Sequence, residues 1–385
     1  MTDPDSAPLS GLLVVDLSQF LAGPYAALRL MDLGARVIKI ERPETGDLTR
    51  SLYLTDTEIG GDSTLFHAIN RGKESLALDL KDPGDRAALT RLIARADVLI
   101  QNFRPGVIER LGFDWQTVRR INPRLVYGSI SGYGEDGPWV DRPGQDLLAQ
   151  ARSGLMWLSG DASDAPVPMG LAVADMFAGA TLVQGLLAAL VRRGVTGRGG
   201  LVQTSLLEAL VDLQFEVLTT HLNDGGRRPM RAARGSAHAY LSAPYGVYRA
   251  ADGWLVIAMM PVPRLADLMG LPLEERWRDD PRTWFTDRDR IRSLIAAKIA
   301  QRPVADWLAL FEPADIWSAP VMDWPDLLTH PGFTGLGLLQ DLRGAARDVT
   351  TTAAPLRIDG VRPHCATPSP RIGQHSAAIR AEFGL

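Results

Sequence analysis

The chain has 385 residues, of which 46% are hydrophobic and 22% are charged, and its formal net charge is −4. This length and composition are typical of a soluble globular protein with two domains. A slightly acidic chain has no overall basic field, so we expect neither nucleic acid nor an anionic membrane as a partner.

The first residues, Met1–Gly11, are polar and acidic, so no signal peptide is expected. No apolar run comes close to the ~20 residues that span a bilayer. The single cysteine, Cys365, excludes an internal disulfide and a cysteine-built metal site, and the six histidines show no HExxH or paired spacing. We therefore expect a cytoplasmic protein without a structural metal.

The first third of the chain alternates short apolar runs with helical segments. Strands are predicted at Leu12–Leu17, Arg36–Ile40, Ser75–Asp79, Val98–Gln101 and Leu125–Ser129. Helices are predicted between them at Gly23–Asp32, Pro83–Ala96, Val107–Leu111 and Trp115–Ile121. This alternation predicts an α/β fold with a doubly wound parallel sheet and crossover helices on its faces.

A long helix is predicted from Met176 to Arg193, with Asp175 directly before it and a glycine-rich stop after it. One interpretation is that Asp175 caps the helix by accepting a backbone N–H. The other is that its carboxylate does chemistry at the positive end of the helix, where the small residues Ala178–Ala180 leave room for a ligand. The surrounding residues do not decide between the two.

The second half changes composition after the helix predicted at Leu210–Leu222; no separate element is assigned to Leu201–Ala209. From Tyr245 two strands around an Ala-Asp-Gly turn predict a hairpin, and a short helix is predicted at Ser376–Phe383. We divide the chain into residues 1–227, the N-terminal part of a large domain, residues 228–325, a small α+β domain, and residues 326–385, which return to the large domain.

Cationic, amide and aromatic residues follow the predicted strands, namely Arg42, Lys81 and Asn102–Arg104. The carboxyl ends of parallel strands form a ligand crevice, arginine suits phosphate, and Phe103 offers a face to a ring. Since neither GxGxxG nor GxxxxGK[ST] is present, these residues predict a phosphorylated adenine ligand held by side chains, without nicotinamide. The alternative is that they are solvated charges at strand ends.

Short blocks in a fixed order make the chain resemble the class III coenzyme A (CoA) transferase family over nearly its whole length. The blocks are VDL at 15–17, AGP at 22–24, GARVIKIER at 34–42, GD at 46–47, NRGKESL at 70–76, LD at 78–79, NFRPG at 102–106, GYG at 132–134, Asp175 with its helix, and TGRG at 196–199. The resemblance implies a Rossmann-like large domain built from both chain ends and an interlocked homodimer.

The resemblance also implies roles for single residues. Asp175 falls at the position of the family's nucleophilic aspartate, and Arg142 lies near a basic residue that follows the Gly-Tyr-Gly block. The CoA contacts that it implies are Leu21, Ala22, Arg42, Leu78, Lys81, Asn102, Phe103, Arg104 and Arg110. The implied activity moves CoA between an acyl-CoA and a small organic acid through an aspartyl anhydride and thioester, with no metal.

The chain departs from related racemases at Gln145, which stands where they have a histidine base. Glutamine does not exchange protons near neutral pH, so we expect Gln145 to position substrate by hydrogen bonding.

Arg231 and Arg234 lie in a loop that is either a solvated linker or a partner for the second carboxylate of a dicarboxylic acid. CoA transfer is the leading interpretation; an α-methylacyl-CoA racemase and a non-catalytic CoA-binding protein are the alternatives. Succinyl-CoA with a short dicarboxylate is the working hypothesis for the substrates.

Overall fold

The computed structural model describes residues 7–343 and 348–385. The first six residues, on which part of the signal-peptide expectation rests, lie outside that range. The chain forms two compact units, one made of residues up to 150, 172–213 and 334–385, the other of residues 151–171 and 214–333. The sequence predicts the boundaries at 227/228 and 325/326 instead, and it does not separate residues 151–171 from the large domain.

The larger unit is a mixed α/β structure. Its strands are β1 (Leu13–Asp16), β2 (Arg36–Glu41), β3 (Glu58–Ile59), β4 (Asp62–Ser63), β5 (Glu74–Ala77), β6 (Val98–Gln101), β7 (Val126–Ser131), β8 (Gly200–Ser205), β12 (Leu339–Arg343) and β13 (Asp348–Thr352). Its helices are α1 (Ala22–Asp32), α2 (Thr64–Asn70), α3 (Pro83–Ile93), α4 (Val107–Leu111), α5 (Trp115–Ile121), α6 (Asp146–Ser153, whose last turn belongs to the smaller unit), α7 (Val173–Thr196), α8 (Leu206–Leu213) and α17 (Ser376–Phe383).

Six of these strands form one parallel sheet in the order β5-β2-β1-β6-β7-β8. Val14 in β1 lies opposite Val37 in β2 and Val98 in β6. The chain therefore builds the sheet outward from β1, first to one side and then to the other. In open parallel sheets the point where this direction reverses, here between β1 and β6, marks a crevice at the carboxyl ends of the strands.

Both faces of the sheet are covered by helices, as the continuously apolar strands predict. Val15, Ile38, Leu99 and Tyr127 belong to one core cluster together with residues of α3, α5 and α17. On the other face α1 and α7 pack on the strands. Gly128 of β7 faces α7, because a Cβ there would lie 3.2 Å from the side chain of Leu186.

Helix α7 is the central helix of the larger unit, and its buried residues recur at helical spacing. It is also long and apolar enough, by length and composition alone, to cross a membrane, which corrects the expectation that no run comes close to that length. The core helix of a soluble protein passes the same test, and α7 packs on β7, β8, α1 and α8. Its composition is therefore weak evidence for a membrane.

The C-terminal tail covers the edge strand β5. The Gly373 main-chain N–H donates to Ser75 Oγ (2.9 Å), and the Ala77 N–H donates to Ser376 Oγ (3.0 Å). The Ser75 N–H donates to His375 Nδ1 (3.1 Å). These bonds satisfy main-chain groups that would otherwise leave an open sheet edge.

The smaller unit has its own core around Trp277, Trp307 and Phe311. Its helices are α9 (Phe215–Asn223), α10 (Val262–Met269), α11 (Glu275–Asp279), α12 (Thr283–Thr286), α13 (Arg288–Ile299), α14 (Val304–Phe311), α15 (Trp324–Thr329) and α16 (Pro331–Thr334, whose last residue belongs to the larger unit). Its strands β9 (Gly246–Arg249), β10 (Trp254–Ile257) and β11 (Ser318–Pro320) form an antiparallel sheet in the order β11-β10-β9.

Most predicted elements are confirmed. β6, α4, α5 and α17 have the predicted bounds, and β9 and β10 form the predicted hairpin, with Tyr248 opposite Leu255. Helix α7 begins at Val173, three residues before its predicted start. The strands β3, β4, β8 and β11–β13 were not expected, although β8, β12 and β13 are longer than the predicted strand β6.

Replacing Leu186 by alanine should lower the free energy of unfolding by about 2–5 kcal/mol, because a fully buried leucine leaves a cavity when it is truncated. Val361 is an exposed valine elsewhere in the larger unit, so Val361→Ala should change stability by less than about 0.5 kcal/mol. Urea unfolding followed by circular dichroism measures both. Equal losses would contradict the packing of α7 on the sheet.

Candidate active site

The N-terminus of α7 is capped by a side chain from another helix. Ala172 is the N-cap residue and makes no side-chain cap. Asp146 Oδ1, from α6, instead accepts hydrogen bonds from the main-chain nitrogens of Ala174 (2.7 Å) and Asp175 (3.3 Å), and Gln150 Nε2 donates to Asp146 Oδ2 (2.6 Å). The capping interpretation of Asp175 is therefore wrong, since Asp146 performs that role.

The Asp175 carboxyl group is partly buried and has no hydrogen-bond partner among the described residues. Burial, together with the negative charge of Asp146, raises the pKa of Asp175 to about 7. The group is thus about half ionised at neutral pH, where an ordinary aspartate is fully ionised. A carboxylate held without hydrogen bonds is poorly stabilised and therefore reactive as a nucleophile or base.

Gly179 places Asp175 beside the start of α1. A Cβ at Gly179 would lie 2.6 Å from the carbonyl oxygen of Ala22 and 2.9 Å from Tyr25 Cδ1, so only glycine allows this approach. Asp175 lies one turn earlier on the same side of α7. Ala178 and Gly179 are buried, so their small size serves helix packing, and the expectation that they leave room for a ligand is wrong.

Polar side chains hold the loop between β1 and α1 at several points. Lys39 Nζ donates to the carbonyl oxygen of Ser18 and Lys73 Nζ to that of Pro24, both at 2.9 Å. Between these points, Asn102 accepts from the Gln19 N–H (2.8 Å) and donates to the Gln19 carbonyl (2.7 Å). The loop that leads to Leu21 and Ala22 is therefore fixed at both ends and in its middle.

The two lysines are neutralised by two buried aspartates. Lys73 Nζ lies 2.9 Å from Asp16 Oδ2, and Lys39 Nζ lies 2.7 Å from Asp47 Oδ2. Burial lowers the pKa of Lys73 to about 8, although Asp16 opposes this effect. Burial acts to raise the pKa of Asp16, but the nearby Lys39 and Lys73 hold it below its ordinary value. Buried charges of this kind are tolerated only when they are paired.

The residues that the resemblance implies as CoA contacts fall into three groups by exposure, of which the intermediate one consists of Leu21, Asn102 and Phe103. Those with exposed side chains are Arg42, Lys81, Arg104, Arg110 and Arg142. Of these, Arg42, Lys81 and Arg104 follow β2, β5 and β6, which are parallel strands of one sheet and end at the same edge. Ala22 and Leu78 are only 2% and 1% exposed as whole residues, so their side chains make no broad contact with a ligand.

A small cleft of about 70 Å³ lies at the carboxyl ends of β6, β7 and β8. It brings together the expected residues Phe103 and Arg104 with polar residues that were not expected, among them Gln101, Ser129, Ser131 and Gln203. Gln101 links two of these, since its Nε2 donates to Ser129 Oγ (2.8 Å) and its Oε1 accepts from the Phe103 N–H (2.8 Å). In the sequence, the signal that could have identified these residues is the presence of polar side chains at the ends of predicted strands.

The remaining candidates lie on loops. Gln145 is exposed and directly precedes Asp146. In the smaller unit, Arg231 is buried, and its guanidinium donates to the carbonyl oxygens of Ser159 (2.6 Å), Asp164 and Ala165 (3.3 Å), which occupies the donors that a substrate carboxylate would need. Arg234 is exposed. Within residues 7–343 and 348–385, no group of three or more His, Cys, Asp or Glu side chains is arranged to hold a metal ion.

The fold and the site define an α/β protein with a reactive carboxyl group beside a ligand crevice. Residues 9–376 match the family model of CoA-transferase family III. The acetyl-CoA:oxalate CoA-transferase of Acetobacter aceti is 35% identical over 98% of this chain and 96% of its own. The succinate–glutarate CoA-transferase of Agrobacterium fabrum is 33% identical over 98% and 96%. The crystal structure of a CAIB/BAIF family protein from Brucella suis is 32% identical, with a TM-score of 0.85 over 98% of this chain and 99% of its own.

The chain belongs to CoA-transferase family III. It is accordingly an enzyme that transfers CoA between an acyl-CoA and an organic acid, with CoA as its co-substrate. The predicted family and the leading functional interpretation are confirmed.

Asp175→Asn should stabilise the protein in a pH-dependent way. Between pH about 4 and 7 the folded chain keeps a proton on Asp175 that the unfolded chain has lost, so rising pH favours unfolding. The variant lacks this titration. Its advantage in melting temperature over the wild type should therefore grow from pH 4 to pH 7 and stay constant above pH 7.

Differential scanning fluorimetry across this pH range measures the effect. Asp212→Asn, at an exposed carboxylate on α8, is the control and should show no such growth. Asp146→Asn keeps an oxygen that accepts the two N–H bonds but removes the neighbouring charge. In that background the pKa of Asp175 should be lower, so the effect of Asp175→Asn should stop growing at a lower pH. A constant difference between Asp175→Asn and the wild type would contradict the raised pKa.

Proposed function

We propose that Asp175 is the nucleophile that carries the acyl group and then CoA. The proposal depends on the surroundings of the Asp175 carboxyl group. Asp146 caps the helix in its place, so the group has no hydrogen-bond partner among the described residues, and it lies beside the start of α1. A carboxylate is the required nucleophile, because its attack on a thioester gives an anhydride that is as reactive as the thioester itself.

The reaction proceeds in four balanced steps. An Asp175 oxygen bonds to the thioester carbonyl carbon and the C–S bond breaks, which gives a mixed anhydride and the CoA thiolate. The thiolate then bonds to the Asp175 carbonyl carbon and releases the donor acid, leaving an aspartyl-CoA thioester. The acceptor carboxylate attacks this thioester and frees the thiolate again. The thiolate finally attacks the acceptor carbonyl, which forms the new acyl-CoA and regenerates Asp175.

The developing oxyanions need hydrogen-bond donors. The main-chain N–H groups of Ala174 and Asp175 are already used by Asp146. The start of α1 is the alternative, because its N-cap residue, Leu21, makes no side-chain cap and Gly179 brings it next to α7. We assign the oxyanion to the main-chain N–H groups of Ala22 and Gly23, at the positive end of α1, because the third residue, Pro24, has no N–H.

CoA is assigned to the carboxyl edge of the parallel sheet, which we treat as a Rossmann-like doubly wound sheet. The exposed guanidinium and ammonium groups of Arg42, Lys81, Arg104 and Arg110, with Arg142, supply positive charge for the phosphates. Phe103 supplies a face for the adenine ring. We assign Asn102 to holding the β1–α1 loop instead of to direct contact with CoA, because its side-chain Oδ1 and Nδ2 are both hydrogen-bonded to the main chain of Gln19.

We further propose a short dicarboxylic acid as acceptor. Two relatives are named for oxalate and for succinate with glutarate, all of which are dicarboxylates. Arg234 is the better candidate for the second carboxylate, since the guanidinium of Arg231 is occupied. Gln145, next to Asp146, is assigned to substrate positioning. A metal-free reaction and a cytoplasmic location stay predictions.

Asp175→Asn should lower the rate of CoA exchange by at least about a thousandfold, because the amide cannot form the anhydride. The Kd for CoA, measured by calorimetry, should stay within about twofold, since the phosphates and adenine are bound elsewhere. Asp212→Asn is the matched control and should keep full activity.

Trapping distinguishes the covalent route from direct transfer between substrates. Hydroxylamine added during turnover should convert the aspartyl thioester to a hydroxamate, which mass spectrometry locates on the peptide that contains Asp175. A hydroxamate on another residue, or exchange that persists in Asp175→Asn, would overturn the assignment.

We also propose that two copies of the chain form a homodimer, interlocked as the family resemblance implies. The supporting observation is the uncovered side of α7, where Val191 and Val195 are 73% and 86% exposed. These two valines are four residues apart and therefore adjacent on one side of the helix, and adjacent exposed apolar side chains are found at protein interfaces.

Sedimentation equilibrium should give twice the chain mass of 41.8 kDa. Val191→Glu combined with Val195→Glu should weaken the dimer at least tenfold, since two charges would be buried without partners. Val361→Glu, at another exposed valine of the larger unit, should leave the mass unchanged. A wild-type monomer would refute the dimer, and an unaffected double variant would refute this interface.

A further inference from the structure

Helix α9, in the smaller unit, has an apolar side that no protein group covers fully. None of its residues is fully buried. Gln214, Val217, Leu218 and His221, at positions i, i+3, i+4 and i+7, line a cavity of about 380 Å³. This spacing puts all four on one side of the helix. The inner side of α9 therefore faces a space rather than a packed core.

The opposite walls of the cavity are also largely apolar. They include Trp157, Leu158 and Pro229, and every lining residue belongs to the smaller unit. A concave, mostly apolar cavity of this size, with a few polar groups, is typical of a site for a small organic molecule.

The polar groups of the cavity favour an anionic ligand. The Tyr240 hydroxyl is buried without a hydrogen-bond partner, which is costly unless a ligand supplies one. Arg228 lies with its guanidinium carbon 5.7 Å from the centre of the Trp157 ring and has no carboxylate partner among the described residues. Both groups offer N–H or O–H donors to the same cavity.

The nearby charges leave these donors available. Burial and the charge of Asp224 raise the pKa of Tyr240, so the phenol keeps its proton and donates. Asp224 itself is engaged by Arg227, whose main-chain N–H donates to Asp224 Oδ1 (3.0 Å) and whose Nε lies 3.8 Å from Oδ2. His221 uses Nδ1 on the Arg227 carbonyl oxygen (2.9 Å), so this nitrogen carries a proton.

We propose that this cavity binds a small carboxylic acid with an aromatic or branched apolar body. The carboxylate accepts from Arg228 and Tyr240, and the body lies against Trp157 and the apolar side of α9. The site is complete within the smaller unit. It does not depend on the role of Asp175, so either assignment can fail without the other.

Isothermal titration of the full-length protein with phenylacetate, in the absence of CoA, tests the proposal. We expect one bound molecule per chain and a change in tryptophan fluorescence that Trp157→Phe abolishes. Arg228→Gln should weaken binding about tenfold, because it removes a charge-assisted hydrogen bond. Tyr240→Phe removes only the hydroxyl and should weaken binding several-fold.

Two controls make the result specific. Arg282→Gln removes an exposed positive charge of the smaller unit that does not line the cavity, and it should leave the Kd for phenylacetate unchanged. The alcohol 2-phenylethanol keeps the apolar body but lacks the carboxylate, so it should bind at least tenfold more weakly. Absence of binding, equal binding of the alcohol, or equal effects of Arg228→Gln and Arg282→Gln would each overturn the proposal.

Discussion

Four buried charged side chains support the end of the larger unit at which the β1–α1 loop lies. Lys39 and Lys73 reach the main chain on the two sides of the β1–α1 loop, while Asp16 and Asp47 neutralise them. Removing one member of such a pair typically costs about 3–5 kcal/mol, because the remaining charge stays buried without a partner. The loop fixes the start of α1, and the start of α1 meets α7 at Gly179. The position of the proposed nucleophile relative to CoA thus depends on these ion pairs.

Asp146 resolves a conflict between stability and reactivity at the same end of α7. A helix start needs an acceptor for its first N–H groups, and an aspartate in the first turn often supplies it. If Asp175 did so, its carboxylate would be stabilised and less reactive. Because Asp146 accepts these bonds instead, Asp175 keeps free oxygens. Burial and the second negative charge raise the pKa of Asp175, so the proposed nucleophile is ionised in only part of the molecules at neutral pH.

Local sequence signals predicted the elements well, and contacts distant in sequence were the main source of error. Strand β6 and helices α4 and α5 have the expected bounds, since each carries a strong apolar pattern with clear ends. The role of Asp146 was missed because it caps a helix that begins 27 residues later. Ala178 and Gly179 were misinterpreted for the same reason, because only the packing of α1 shows what their small side chains accommodate.

The residues of the candidate site could be predicted from the sequence only where their location follows from the order of strands in the sheet. Residues that follow parallel strands meet at one edge, so Arg42, Lys81 and Arg104 could be grouped from the strand pattern alone. The burial of Ala22 and Leu78 depends on tertiary packing, which the pattern does not give. The occupied donors of Arg231 likewise depend on a loop that folds back onto it from 66 to 72 residues away.

The order in which a ribosome produces the chain gives the tail a further consequence. Gly373 and Ser376 bond to β5, and Arg50 donates to the carbonyl oxygen of Pro370, which lies 320 residues later. During synthesis the edge of the sheet therefore stays uncovered until residues 373–376, about 300 residues after β5, have been translated. A nascent chain that stalls late would expose a bare strand edge to its neighbours, which is the geometry from which aggregates start.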